Sequence, residues 1–170
     1  QAVTGAPGLA IGQVTQLRAV DLDVAVDGAG VAHERQALAE ALAAVAAGLG
    51  GGNRAAAEIA EAHRALLADP ELAGAAERGI AAGRSAAFAW RAATRFAADA
   101  IRATGDALLM ERVADLADLE RQVIARLLGQ DAPAVPLIAP DTILIAEDLL
   151  PSQFLALDRA RLAGIVTAAG

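Results

Sequence analysis

Large apolar residues recur every three or four positions from Leu38 to Leu127, and this run lies between two shorter stretches of different rhythm. Leu38, Leu42, Val45 and Leu49 form one stripe. Ile59, Ala62, His63, Leu66 and Leu67 form a second, and Leu109, Val113, Leu116, Leu119, Val123 and Leu127 a third. Such spacing puts the residues of each stripe on one face of an α-helix. Residues 8–17 instead set Leu9 and Ile11 alternately against Ala10 and Gly12, which reads as a short strand. Thr142–Ala146 and Leu162–Thr167 are compact apolar runs of the kind buried in a parallel sheet. The expected fold is therefore mostly α: a helical bundle, residues 30–130, inserted into a partial α/β domain made of residues 1–20 and 133–170.

Punctuation refines this outline. Asp21 to Gly30 is acidic and turn-rich and reads as a linker. A first helix starts near His33 and is closed by Gly50-Gly51-Gly52-Asn53, and a second runs from about Ala55 to Ala68. Asp69-Pro70-Glu71 looks like a cap followed by a first-turn proline. Ser85 looks like the N-cap of a helix carrying Phe88, Trp90 and Phe96. Gly105 separates that helix from the longest periodic segment, Asp106–Leu128, which Gly129 stops. Pro133, Pro136 and Pro140 lead into the first buried strand, and Pro151-Ser152 opens a short helix through about Leu157.

Composition narrows what such helices can bury. Apolar residues make up 56% of the 170, yet aromatics are only 2% and much of the rest is alanine. Alanine favours helix and has little side chain to bury, so the helices should meet across close, thin interfaces. Fourteen basic and 21 acidic residues give a net charge of −7, with no basic stripe for nucleic acid. An acidic face suits a basic protein partner. With no cysteine there is neither a disulfide framework nor a thiolate metal site. No uninterrupted apolar run of about 18 residues suggests a membrane span. Gln1-Ala2-Val3-Thr4 reads as the interior of a longer protein, and Gly164–Gly170 as a strand running into a loop.

Candidate chemistry is sparse. His33 and His63 are thirty residues apart without a ligand-spaced partner, and each reads as a surface or half-buried histidine. Glu58, Glu61 and His63 lack metal-motif spacing. Asp115 and Asp118 are flanked by Arg112 and Arg121 at helical spacing, which reads as a solvated, salt-bridged face. Phe88, Trp90 and Phe96 read as core and bundle-interface residues, and the Gly5–Gly8 and Gly50–Gly52 segments as turns. Residue chemistry by itself stops at a helical interaction bundle on an α/β base.

Four blocks, in order, resemble the amino-terminal domain of Enzyme I, the phosphoenolpyruvate–protein phosphotransferase of the bacterial sugar phosphotransferase system. Ala6-Pro7-Gly8-Leu9-Ala10-Ile11-Gly12 resembles the family's opening strand. Ile59 to Leu72 resembles its Ile-Phe-Glu-x-His-x-x-Leu-Leu-x-Asp-x-Glu-Leu block, with Ala60 in place of the aromatic. Glu111 to Asp118 is similar to its Glu-Arg-Ala-x-Asp-x-x-Asp helix. Ile145 to Ser152, followed by Gly164 to Gly170, looks like the stretch before its Gly-x-Thr-Ser-His loop. Ser85-Ala86-Ala87-Phe88-Ala89-Trp90 further resembles multiphosphoryl transfer proteins.

The resemblance implies that the bundle docks the phosphocarrier protein HPr through Leu66, Leu67, Glu71, Leu109 and Arg112. It implies a phosphohistidine-type α/β base whose catalytic histidine lies beyond Gly170, so no catalytic residue is expected here. It further implies no cofactor or metal in this segment, magnesium in the full-length enzyme, a cytoplasmic location, and dimerisation through a carboxy-terminal domain. Adjacent leucines on a helix point about 100° apart, so at most one of Leu66 and Leu67 is expected squarely in the core, leaving the other free for a partner. Two rival readings are a phosphohistidine domain of the pyruvate phosphate dikinase or phosphoenolpyruvate synthase type, and a plain helical dimerisation module. The Ile59–Leu72 and Glu111–Asp118 blocks argue against the first, and the trailing strand–helix–strand against the second.

Overall fold

The computed structural model describes residues 8–18, 21–50, 54–130 and 137–168. Its contacts divide the chain into two compact units, one of Gln1–Asp21 and Ala134–Gly170 and the other of Leu22–Pro133. Helix accounts for 62% of the described residues.

The second unit holds five α-helices: α1 (Val31–Gly48), α2 (Arg54–Leu67), α3 (Pro70–Ala81), α4 (Ala86–Thr104) and α5 (Met110–Leu127), the last preceded by a 3₁₀ turn at Ala107–Leu109. The caps are local chemistry. The Asp69 side chain accepts from the Glu71 N–H with Pro70 in the first turn of α3, and Ser85 Oγ accepts from the Phe88 N–H. α4 ends at Gly105, whose φ of 67° is the left-handed conformation that glycine adopts at no steric cost. Of the Gly50–Asn53 terminator, residues 51–53 lie outside the described residues, as do Ala6, Pro7, Pro133, Pro136 and Ala169–Gly170.

α5 packs against α4, α1 and α2, and α3 packs against α4. Trp90, Ile80, Leu116, Leu119 and Ile124 are buried at the centre, surrounded by Ala41, Ala76, Ala86, Ala89, Ala93 and Ala125. The thin interfaces expected from alanine are present: a Cβ placed on Gly79 of α3 would lie 2.9 Å from the Ala89 Cβ of α4. The three aromatics do not share the core. Trp90 is buried and Phe88 is half-buried beneath the Arg84 guanidinium, but Phe96 is 75% exposed. Phe96 follows the buried Ala93 by three residues, yet helix rotation carries it past the edge of the stripe.

From Leu22 to Gly30, the segment Asp21–Gly30 read as a linker is instead a strap laid on the α3–α4 corner. Leu22 is buried, and the Ser85 N–H donates to Val26 O while the Gly28 N–H donates to Gly83 O. Arg84 pairs with Asp27 at 3.0 Å. Glu34 completes the clasp: Oε1 accepts from the Ala29 N–H at 2.8 Å and Oε2 from the Ala86 N–H at 2.7 Å. The strap lacks regular periodicity because its backbone groups are satisfied by a corner rather than by a helix or ladder.

The first unit is a three-stranded parallel sheet, ordered β1 (Gln13–Leu17), β2 (Thr142–Ala146), β3 (Leu162–Thr167), with helix α6 (Pro151–Ala156) between β2 and β3. Ile138, Leu144 and Leu157 are its core, joined by Leu17, Leu149 and Leu162. The strand expected over residues 8–17 begins only at Gln13, and Leu9 and Ile11 are exposed. Gly12 explains the start, because a Cβ there would lie 1.9 Å from the Asp141 carbonyl oxygen. β3, expected to be buried like β2, is the open edge of this sheet, with Val166 53% exposed. Among the described strands it has a neighbour on one side alone.

Candidate docking surface of the helical unit

The expected docking residues fall at two places, the α2–α3 corner and the start of α5. Leu66 and Leu67 end α2 and are both half-buried against the edge of the core. Neither lies squarely in the core, which keeps within the expectation that at most one would. Their 100° separation straddles the rim, so each keeps part of its surface in solvent. Asp69 caps α3 immediately after them, and Glu71 is exposed in its first turn.

At the start of α5, Leu109 is 39% exposed, next to Leu108 at 85% and Met110 at 44%. Leu108 and Met110 were not singled out from sequence. The available signal was three consecutive large apolar residues at a helix start, which no single face can bury. Arg112 is exposed one turn further on and has no ion-pair partner among the described residues. The surface combines apolar anchors with charged rim groups, the anatomy of a protein–protein interface.

Between these places lies a polar contact that the sequence reading misjudged. Asp115 and Asp118 do not form a solvated face with Arg112 and Arg121; they point inward, 8% and 1% exposed. His63 of α2 is likewise 1% exposed, correcting its reading as a surface or half-buried histidine. Its Nε2 lies 3.4 Å from Asp115 Oδ1 and 3.8 Å from Asp118 Oδ2. Neither ring nitrogen of His63 makes a hydrogen bond of good geometry, while Asp118 accepts one from Gln122 at 3.2 Å. A buried histidine and buried carboxylates need one another, which is why the aspartates turn from solvent. His33, on α1, is exposed as read.

Glu58 is tied to Arg54 at 2.9 Å on the exposed side of α2, and Glu61 is exposed. Among the described residues no group of three or more His, Cys, Asp or Glu could hold a metal ion. Among those residues, too, no helix is long and apolar enough to cross a membrane.

Residues 1–112 match the family described as PEP-utilising enzyme, N-terminal. The chain belongs to that family. Within it, a multiphosphoryl transfer protein of Rhodobacter capsulatus is 39% identical over 114 residues, covering 67% of this chain and 14% of the relative. A phosphoenolpyruvate-protein phosphotransferase of Streptomyces coelicolor is 36% identical over 171 residues, covering 96% of this chain and 30% of the relative. The chain thus spans less than a third of the length of these curated relatives. A solution structure of Enzyme I superposes on 98% of this chain and 72% of its own, with 27% identity and a TM-score of 0.69. The N-terminal domain of a nitrogen-system Enzyme I covers the same shares at 27% identity and a TM-score of 0.62. The fold of this PEP-utilising enzyme N-terminal member is that of the Enzyme I amino-terminal domain.

Proposed function

We propose that this chain is the HPr-docking part of a cytoplasmic phosphoenolpyruvate–protein phosphotransferase of the Enzyme I type. In the whole enzyme, phosphate passes from phosphoenolpyruvate to a histidine and then to HPr. Magnesium and a dimerising carboxy-terminal domain belong to that larger protein. The observation that carries the reading is the exposed Leu108–Leu109–Met110 run beside Arg112, which has no ion-pair partner among the described residues, on a chain of this family. Leu66 and Leu67 supply further apolar surface, and the exposed Glu71 supplies an acidic rim group suited to a basic partner.

His63 is unsuited to carry phosphate, since its ring is sealed from solvent and faces two carboxylates. A histidine nucleophile must present a ring nitrogen to the phosphorus. The phosphorylated histidine is assigned to the Gly-x-Thr-Ser-His loop that the Enzyme I resemblance implies, a motif absent from these 170 residues.

Calorimetric titration of HPr into wild type and Arg112→Ala tests the docking surface. Because Arg112 is exposed and unpaired, its loss should change stability by well under about 1 kcal/mol. As an anchor it should weaken HPr binding by about 1–3 kcal/mol. An unchanged affinity removes Arg112 from the surface, and a wild type that does not bind HPr overturns the function.

A further inference from the structure

We infer that His63 is the positioning residue of the docking surface, fixing through Asp115 how the α2 leucines stand relative to Arg112 on α5. This rests on the docking reading above and adds to it a residue that never meets the partner.

α2 is weakly anchored by apolar packing. The residues it buries fully are Ala60 and His63, and its larger apolar side chains, Ile59, Leu66 and Leu67, are only half-buried. An alanine contact can slide by part of a turn at little cost, because there is no bulky knob to lock it. The His63 ring cannot slide in this way. Moving it takes a buried imidazole away from the Asp115 carboxylate, 3.4 Å from its Nε2, in a place that water does not reach. Buried polar groups of this kind can fix the register of packed helices where apolar contacts leave it loose.

The geometry carries that register to the surface. Leu66 and Leu67 follow His63 by three and four residues, and Arg112 precedes Asp115 by three. One helical turn rises about 5.4 Å, so both sets of docking residues stand about one turn from the same contact. A shift at His63–Asp115 is passed along two rigid helices to the leucines and to the arginine.

The test is a double-mutant cycle in the full 170-residue chain, with His63→Gln and Arg112→Ala measured singly and together against HPr, at a temperature where Trp90 fluorescence shows every variant folded. His63→Gln should weaken binding at least tenfold, and Arg112→Ala should then cost several-fold less than in wild type. A purely structural His63 would leave the two effects multiplicative, and that result overturns the inference, as does wild-type affinity in His63→Gln. Asp115→Asn takes the place of His63→Gln if the latter does not fold. Backbone amide shifts of the free chain provide a readout independent of HPr: His63→Gln should move the signals of Leu66, Leu67, Leu109 and Arg112. If wild type binds no HPr, the docking reading fails, and unmoved amides at those positions would refute the positioning role by themselves.

Discussion

Removing the Glu34 carboxylate should release the strap from the α3–α4 corner. Its two oxygens accept from the Ala29 and Ala86 N–H groups at 2.8 and 2.7 Å in a largely buried position. Hydrogen bonds to a charged group contribute roughly 1.5–3 kcal/mol each. Glu34→Ala, which removes both, should therefore destabilise the helical unit by about 3–6 kcal/mol. Glu34→Gln keeps one oxygen but turns an amide donor toward the other N–H, and should cost about 2–3 kcal/mol. pH separates the electrostatic part from packing. Burial alone would raise the Glu34 pKa, but the Ala86 and Ala29 hydrogen bonds and nearby His33 outweigh it and hold the pKa below the ordinary glutamate value. A carboxylate depressed in this way adds stability that is complete above the ordinary glutamate range and disappears as pH falls through the folded-state pKa. Urea unfolding followed by Trp90 fluorescence reads this unit directly, since Trp90 is the chain's single tryptophan. The gap between wild type and Glu34→Gln should be full at neutral pH and shrink steadily as pH falls below the ordinary glutamate pKa and through the lowered folded-state one. A gap that is the same at neutral and strongly acidic pH, or below about 0.5 kcal/mol at neutral pH, would refute the account.

Other perturbations follow from single contacts. Gly12→Ala would force a Cβ against the Asp141 carbonyl, so circular dichroism should lose strand signal while the Trp90 transition stays in place. Ser85→Ala loses the α4 cap and the hydroxyl's bond to Ala25 O, and should lower the Trp90-detected stability by about 1–2 kcal/mol. Mixing the chain with phosphoenolpyruvate, magnesium and HPr should give no phosphorylated HPr, and labelled phosphate on His33 or His63 would show that the active site has been misplaced.

What the sequence disclosed was whatever depends on local spacing. α3 and α4 begin where Asp69-Pro70 and Ser85 announce them, and β2 and β3 occupy the runs from which they were read. These features are encoded within a few residues of where they act. The misreadings involve partners far away in the chain. Asp115 and Asp118 look solvated when judged against Arg112 and Arg121 on their own helix, but they turn inward toward His63, about fifty residues earlier. The strap looked like a linker because its partners, Gly83 to Ala86, lie on the far side of three helices in sequence. Of the docking surface, Leu109 and Arg112 were accessible to residue-by-residue resemblance. Leu108 and Met110 were not, because their exposure depends on where the 3₁₀ turn hands over to α5.

The pairing of β1 with β2 has a kinetic consequence. Gln13 sits beside Thr142, so the loop closed by this ladder holds about 130 residues, whereas Thr142 meets Leu162 across about 20. Closure entropy rises only with the logarithm of loop length, so the native state gives up little stability for so long an excursion. The search for the contact is another matter, because distant pairings slow folding in proportion to how non-local they are. β2, α6 and β3 should therefore assemble early, the helices should fold on their own local contacts, and β1 should be the last strand to join. Until it does, the β1-facing edge of β2 stays open to any other extended chain, and the time spent in that state rather than the final stability sets how readily the protein aggregates during synthesis.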